Sequence, residues 1–400
     1  MRHDSVASIA TASATAGPLP TGFPVQAPPG RLVFRKGSTL TLYEAARTQL
    51  LDLGATIVSV HATDDGSVLS ALMDEGQAIG VWSYRPSTAD TTRASVAVPR
   101  PTNDAWAVWT KDGLHAAYTP DTTAPATAVY VIDVNGGGQE VRVGQSGMYV
   151  YAMDWRTPDE LTLMVGSGPT YPLSGASLFS WQRGQGLTQM LSNVRSAAGA
   201  FSWSPDGTAL VYGDSDVPGG PPRLARRDAQ GHSAVILSAD GLRALPNGCD
   251  LDRAVLLYGP LRWSPDGARV ALIGRIDPQC CYFLAIARAD GGDPVLFRSP
   301  ESCYLNDQVA WLDAETLITE LTGPLCGRTT LEGRGIIIDA RSGRAIGEVP
   351  VARKSELHVS PDGRWLASSA DGGIDLTPLD QPAKRVTLPI PGTFVGWCCQ

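Results

Sequence analysis

The sequence predicts an all-β protein built from repeated units of four antiparallel strands. Short runs rich in Val, Leu, Tyr and Thr alternate with turns of Gly, Pro and Asp, as expected of strands joined by tight turns. The turn Ser-Pro-Asp-Gly follows an apolar run at 204–207, 264–267 and 360–363. Successive repeats lie about 47 residues apart, a period typical of four-stranded units.

The clearest copy of the repeat is the stretch 201–213. An apolar run ends at Trp203, the turn 204–207 reverses the chain, and a second apolar run follows it. Pro presets φ at the turn, the Asp side chain can bond the turn's own backbone, and Gly tolerates a positive φ. The turn chemistry therefore predicts a β-hairpin, with near copies at 261–274 and 357–369.

The repeats are regular along the chain. Consecutive copies are separated by 47, 46, 48, 60, 48, 48 and 38 residues. Helical-pair repeats have a similar period, but runs of four to eight residues between turns favour strands. The first strands of the units end at Ala62, Trp109, Trp155, Trp203, Trp263, Trp311, Val359 and Trp397.

Each unit also contains a second, outer hairpin. In the unit of Trp203 the expected strands are 200–203, 209–212, 223–227 and 234–237. The same outer hairpin recurs elsewhere, at 129–143, 284–297 and 336–349.

The two ends of the chain complete one further unit. Residues 31–53 read as three strands without a first strand, and 392–400 reads as a first strand alone. Pairing them closes a ring and removes its open sheet edges. We therefore predict one β-propeller domain, 27–400, with eight four-stranded antiparallel blades, seven being the alternative. Residues 1–26, rich in Ala, Ser, Thr and Pro, are expected to be a disordered leader or tether.

The apolar Trp followed by Ser-Pro-Asp-Gly resembles the repeat of TolB-like and related WD-type β-propellers. The resemblance extends over nearly all of residues 31–400, and two copies depart from it, at 157–160 and 312–315. It implies the propeller fold but no single activity, because such propellers serve as scaffolds, as enzymes and as accessory domains of peptidases.

Composition excludes several classes of partner. The net charge is −8 and Lys and Arg are not clustered, whereas nucleic-acid binding needs clustered cations. No apolar run of about eighteen residues is present, so we expect no transmembrane helix. No cofactor motif was found, and we expect a monomer without bound cofactor or metal.

Strand alternation places the loop between the second and third strands, and the loop to the next blade, on one face. The long loops expected there are 166–176, 214–222, 239–260, 275–282, 300–307 and 323–335. The spacings of the cysteines among them match no common zinc pattern, so disulfides are favoured over free thiols or metal. Disulfides would indicate an extracytoplasmic protein, although no export signal is visible. These cysteines are Cys249, Cys280, Cys281, Cys303 and Cys326.

Tyrosines collect near the same loop ends. Tyr combines a large contact area with a hydrogen-bonding tip, so such a cluster can bind a partner; the alternative is that these rings cover the rim of the core. The candidates are Tyr149, Tyr151, Tyr171, Tyr258, Tyr282 and Tyr304.

Catalysis has less support. The five histidines lie in separate units, and no Gly-x-Ser-x-Gly nucleophile motif occurs. We predict a non-enzymatic scaffold that recognises a protein or an extended polymer through the loop-rich face of blades five to seven. The alternative is a lyase or hydrolase acting on a sugar or peptide at the central channel, with His61, His358 or a nearby Asp as base.

Overall fold

A computed structural model describes most of the chain from residue 30 to residue 398. The described ranges are 30–44, 47–63, 65–98, 107–120, 128–142, 148–167, 175–194, 201–214, 223–238, 255–276, 281–292, 294–298, 304–322, 332–352, 356–370, 373–390 and 392–398. The expected leader, 1–26, lies outside these ranges, so its boundary stays a prediction.

The strands form eight separate sheets of four antiparallel strands each, arranged as the blades of a ring. The prediction of eight blades rather than seven is confirmed. In blade 5 each observed strand overlaps the strand expected from the sequence.

Blades 1 to 4 are numbered in chain order, with blade 1 holding both ends of the chain. Their strands are β1 (Arg31–Lys36), β2 (Thr39–Glu44) and β3 (Arg47–Asp52) with β32 (Thr393–Cys398) in blade 1; β4 (Thr56–Ala62), β5 (Leu69–Asp74), β6 (Ile79–Arg85) and β7 (Asp90–Val96) in blade 2; β8 (Ala107–Trp109), β9 (His115–Tyr118), β10 (Ala128–Asp133) and β11 (Gly138–Arg142) in blade 3; β12 (Met148–Thr157), β13 (Glu160–Ser167), β14 (Ala176–Gln182) and β15 (Gly186–Val194) in blade 4.

Blades 5 to 8 follow the same plan, and a single-turn 3-10 helix (Pro382–Lys384) lies in blade 8. Their strands are β16 (Phe201–Trp203), β17 (Ala209–Asp214), β18 (Arg223–Asp228) and β19 (Ser233–Leu237) in blade 5; β20 (Val255–Trp263), β21 (Arg269–Ile276), β22 (Cys281–Arg288) and β23 (Val295–Arg298) in blade 6; β24 (Tyr304–Trp311), β25 (Thr316–Thr322), β26 (Glu332–Asp339) and β27 (Ala345–Ala352) in blade 7; β28 (Leu357–Val359), β29 (Trp365–Ala370), β30 (Gly373–Pro378) and β31 (Val386–Leu388) in blade 8.

The ring closes through blade 1. Strand β32 pairs antiparallel with β1, placing Trp397 opposite Leu32, and the register shifts between Val33 and Phe34. The expected pairing of the last strand with the first three is therefore confirmed. Closure in this way satisfies backbone groups that would otherwise form an open sheet edge.

The repeated turn is held by its own side chains. In blade 5 the Ser204 hydroxyl donates to Asp206 Oδ1 at 2.5 Å, and the Thr208 N–H donates to the same oxygen at 3.0 Å. Gly207 has φ +69°, which a residue with a Cβ adopts only with strain. Blades 6 and 8 repeat this network, and blades 2 and 3 repeat it with Thr in place of Ser.

The core lies between the blades. Eight clusters of buried apolar residues each join two neighbouring blades, so every interface of the ring contributes. Trp indoles also donate to backbone carbonyls across three of these interfaces: Trp155 to that of Val108, Trp263 to that of Ser202, and Trp311 to that of Arg262, at 3.0–3.2 Å. Each acceptor immediately precedes the Trp position of the preceding blade, so the same hydrogen bond connects successive repeats.

Candidate functional site

The antiparallel order gives the ring two different faces. The turns between first and second strands, and those between third and fourth strands, lie on one face, which we call the turn face. The remaining connections lie on the other, which we call the loop face. This division follows from strand direction alone.

Among the described residues, the first strands of three blades are longer than the rest. Their first strands, β12, β20 and β24, have 10, 9 and 8 residues, whereas β8, β16 and β28 have 3 each. All six expected loops are partly wrong, because each overlaps strand at one end or both. The longest overlaps are 255–260 in the loop 239–260, 304–307 in 300–307 and 332–335 in 323–335. Gly259 and Pro260 read as a turn in the sequence, but a register shift between Tyr258 and Arg262 accommodates them as an irregularity within β20.

The strand extensions hold most of the tyrosines that the sequence singled out. Tyr149 pairs with Gly166 on β13, Tyr258 with Ile273 on β21, and Tyr304 with Thr322 on β25, all near the loop-face ends of these strands. Tyr282 lies opposite Arg275 near the start of β22. Tyr171 lies outside the described residues.

Two of these tyrosines have described side chains, and both pack toward the core. Tyr151 is 4% exposed within the cluster that joins blades 4 and 5, and Tyr149 packs against the same cluster. We therefore leave Tyr151 out of the contact surface proposed below.

The loop cysteines fall mostly outside the described ranges. Cys281 begins β22 opposite Ile276, at the loop-face end of blade 6. The side chain of Cys398 is buried and disulfide-bonded at the end of the closing strand. The pairing of the five loop cysteines stays a prediction, because Cys249, Cys280, Cys303 and Cys326 lie outside the described residues.

A charged group lies at the seam between blades 8, 1 and 2. His358 Nε2 is 3.4 Å from Glu356 Oε2, and the His358 ring meets Phe394 edge-on at 4.9 Å. The nearby His358 lowers the pKa of Glu356, and the charge of Arg35 lowers it further. Arg35 also donates to the Val58 carbonyl in blade 2 at 2.6 Å. His358 Nε2 itself has no hydrogen-bond partner among the described residues.

The other described histidines are held apart from this group. His61 stacks on Trp109 with the rings 6.1 Å apart, and burial lowers the pKa of His115, which packs against Trp155. His232 lies exposed on the outer hairpin of blade 5, 3.2 Å from Asp228. Within the described ranges, no three His, Cys, Asp or Glu side chains come together as metal ligands would.

Asp154 is a buried carboxylate that the sequence did not reveal. It precedes Trp155 on β12, and its Oδ2 accepts a hydrogen bond from the Trp203 backbone N–H in blade 5 at 3.0 Å. Burial raises the pKa of Asp154 to about 6, although hydrogen bonds and the charge of Lys111 oppose the increase. The Lys111 ammonium spans blade 4 to reach the Pro205 carbonyl on the turn face.

Among the described residues, no helix has the length and apolarity needed to cross a bilayer. No family model matches the chain, and no curated protein matches it. Several solved structures match the chain. AztD from Citrobacter koseri has a TM-score of 0.56 at 9% identity, over 91% of this chain and 95% of that one. Dihydro-heme d1 dehydrogenase NirN, solved with DHE, has a TM-score of 0.54 at 14% identity, over 94% and 77%.

A eukaryotic initiation factor has a TM-score of 0.51 at 12% identity, over 93% of this chain and 100% of that one. At such identities these likenesses show the propeller fold and no activity. TolB from Acinetobacter baumannii has a TM-score of 0.35 at 15% identity, over 70% and 65%. The expected TolB-like family therefore stays a prediction.

Proposed function

We propose that the chain is a non-enzymatic binding propeller that recognises a protein or an extended polymer through the loop face of blades 5 to 7. The observation that carries this proposal is the asymmetry of the ring. Strands β20 and β24 are extended in blades 6 and 7, as β12 is in blade 4, while the turn face is closed by short hairpins of repeated design. Long inner strands form a rigid base on which connecting loops can present contacts.

Tyrosines near the ends of these strands support the proposal. Tyr258, Tyr282 and Tyr304 are at register positions close to the loop-face ends of blades 6 and 7. Interfaces are enriched in Tyr, because it buries a large ring at low entropy cost and still offers a hydroxyl. A strongly anionic partner is disfavoured by the net charge of −8.

The test is a loop deletion that leaves the strands intact. Residues 242–252 are replaced by a short Gly-Ser link, which ends before β20 begins at Val255. The control replaces the turn-face residues 229–231 of blade 5 in the same way. We expect capture of the partner to be lost in the first variant and kept in the second, with both retaining the melting temperature of the parent.

Hydrogen exchange on the captured complex adds a direct readout. Protection should appear at the loop-face ends of β20, β22 and β24. If the loop-deletion variant captures the partner as well as the parent does, the site lies elsewhere. The same conclusion follows if backbone amides are protected on the turn face instead of the loop face.

A lyase or hydrolase acting on a sugar or peptide at the central channel is the second candidate. The observation that favours it is the group of His358, Glu356 and Arg35, in which a carboxylate lies 3.4 Å from an imidazole that could act as a general base. His358→Gln should then abolish release of reducing ends or amines from polysaccharide and peptide panels at unchanged stability. His232→Gln is the matched control, because His232 also lies beside a carboxylate but on the turn face.

We also propose that the protein acts outside the cytoplasm as a monomer, with disulfides among the five loop cysteines. Support comes from the number of cysteines expected on one face. Intact mass measured with and without a thiol-blocking reagent, without reduction, counts the free thiols. Blocking of all seven cysteines of the chain would contradict both the disulfides and the inferred compartment.

A further inference from the structure

A pocket of about 390 Å³ lies on the turn face between blades 5 and 6, away from the loop face. Three arginines line it, together with one carboxylate and the small residues of two adjoining turns. Arg226 comes from β18 in blade 5, whereas Arg269 and Arg288 come from β21 and β22 in blade 6. In a chain of net charge −8, this is a local excess of cations.

Two of the arginines occupy paired positions in which a sheet normally disfavours like charges. Arg269 and Arg288 are direct cross-strand partners, and like charges in such pairs destabilise a sheet. Each is compensated by its own neighbour. Arg288 makes a two-point ion pair with Asp290, and Arg269 donates to the Ala314 carbonyl of blade 7 at 3.3 Å.

Arg226 is not compensated within the described residues. Its Nε is buried and has no hydrogen-bond partner there. Asp290 feels the charge of Arg226, but that carboxylate is already engaged by the guanidinium of Arg288. A guanidinium carries five N–H donors, and leaving a buried one unmatched is costly.

Among the described residues, the other carboxylates near the pocket are bound within their own turns. Asp266 accepts from the Ser264 hydroxyl at 2.5 Å and from the Ala268 N–H at 3.0 Å. Asp228 accepts from the His232 N–H at 2.8 Å. The donors that line the pocket therefore exceed the acceptors that the described residues offer them.

We propose that this pocket binds a tetrahedral oxyanion, a phosphate or sulfate group, with Arg226 as its main donor. Arginine suits such groups because its planar fork can donate two parallel hydrogen bonds to one oxyanion. Donors that approach from two blades match oxygens pointing in different directions better than a planar carboxylate. The volume leaves room for a small organic body attached to the group.

The site is independent of the function proposed above, because it lies on the opposite face. Calorimetric titration with inorganic phosphate, sulfate, phenyl phosphate and acetate, at equal ionic strength, tests it. We expect both tetrahedral anions to bind and acetate not to bind. Tighter binding of phenyl phosphate would identify an ester as the natural form, and equal binding of inorganic phosphate would identify the free anion.

Arg226→Gln removes the charge and should weaken phosphate binding roughly tenfold or more. Arg142→Gln is the control, because Arg142 is an exposed arginine of blade 3 with its side chain 80% exposed and paired with Glu140. Without anion, Arg226→Gln should be at least as stable as the parent, since it removes a buried Nε–H group that has no partner among the described residues. Three results would each overturn the proposal. Phosphate could bind the parent and Arg226→Gln with equal affinity, phosphate could bind no more tightly than chloride, or acetate could bind as tightly as phosphate.

Discussion

Asp154→Asn tests whether a carboxylate at the interface of blades 4 and 5 is held partly protonated. Asn keeps an oxygen that can accept from the Trp203 N–H, so the hydrogen bond between the blades is retained. Asn also replaces the second carboxylate oxygen by an NH2 group, which costs hydrogen bonds from Trp155 or Ser202. That cost does not vary with pH, so the pH dependence of the difference reports the charge. Asp159→Asn is a matched control in the turn of the same hairpin, where the side chain is 77% exposed.

The magnitude follows from the pKa. Burial raises the pKa of Asp154 from 3.8 to about 6, and this difference corresponds to about 3 kcal/mol in the free energy of unfolding. Between these values the folded state binds more protons than the unfolded state, so this group lowers stability as pH rises. The residue retains some accessible surface, so about 3 kcal/mol is an upper value.

The assay is urea unfolding of the parent and the variant at several pH values. We expect Asp154→Asn to gain stability relative to the parent as pH rises, by about 2 kcal/mol between pH 4 and pH 7. Taking the difference cancels the opposite contribution of carboxylates with a lowered pKa, such as that of Asp206 at about 2. A difference that stays constant with pH would refute the reasoning, as would an equal gain in Asp159→Asn.

Two further substitutions test the turns and the indole contacts. Gly363→Ala should cost roughly 1–3 kcal/mol, because φ is +69° and a Cβ would lie 2.5 Å from the Leu312 carbonyl oxygen. Gly175→Ala, at φ +88° with open space, should cost less in the same urea titration, and equal costs would exclude the close contact. Trp263→Phe leaves a carbonyl of blade 5 without its donor and should cost about 1 kcal/mol more than Trp82→Phe. The Trp82 Nε1 has no hydrogen-bond partner among the described residues, so equal losses would mean that the indole bond contributes nothing.

The repeat could be identified from the sequence because its turns are local. Asp206 bonds groups within two residues of itself, so the motif needs no distant partner to form a hairpin. The seam in blade 1 was also predictable, since three strands lacking a first strand require the strand found at the other end. Each of these inferences uses contacts that the repeat pattern itself specifies.

The candidate site was predictable only in part. The loop face and the strand ends that hold Tyr258 and Tyr304 follow from strand direction, which the sequence indicates. The length of β20 could not be predicted from the sequence, because Gly259 and Pro260 resemble a turn unless the register of the pairing strand is known. The packing of Tyr151 depends on side chains of the next blade.

By itself, the sequence determined the number of strands in each blade, the closing of the ring and the chemistry of the turns. Only the tertiary structure decided that Asp154 is buried against Trp203, 49 residues away, and that Arg226 meets the arginines of blade 6. The physical reason is the range of the interactions. Turn and strand preferences act over a few residues, whereas burial and charge depend on which surfaces of neighbouring blades meet.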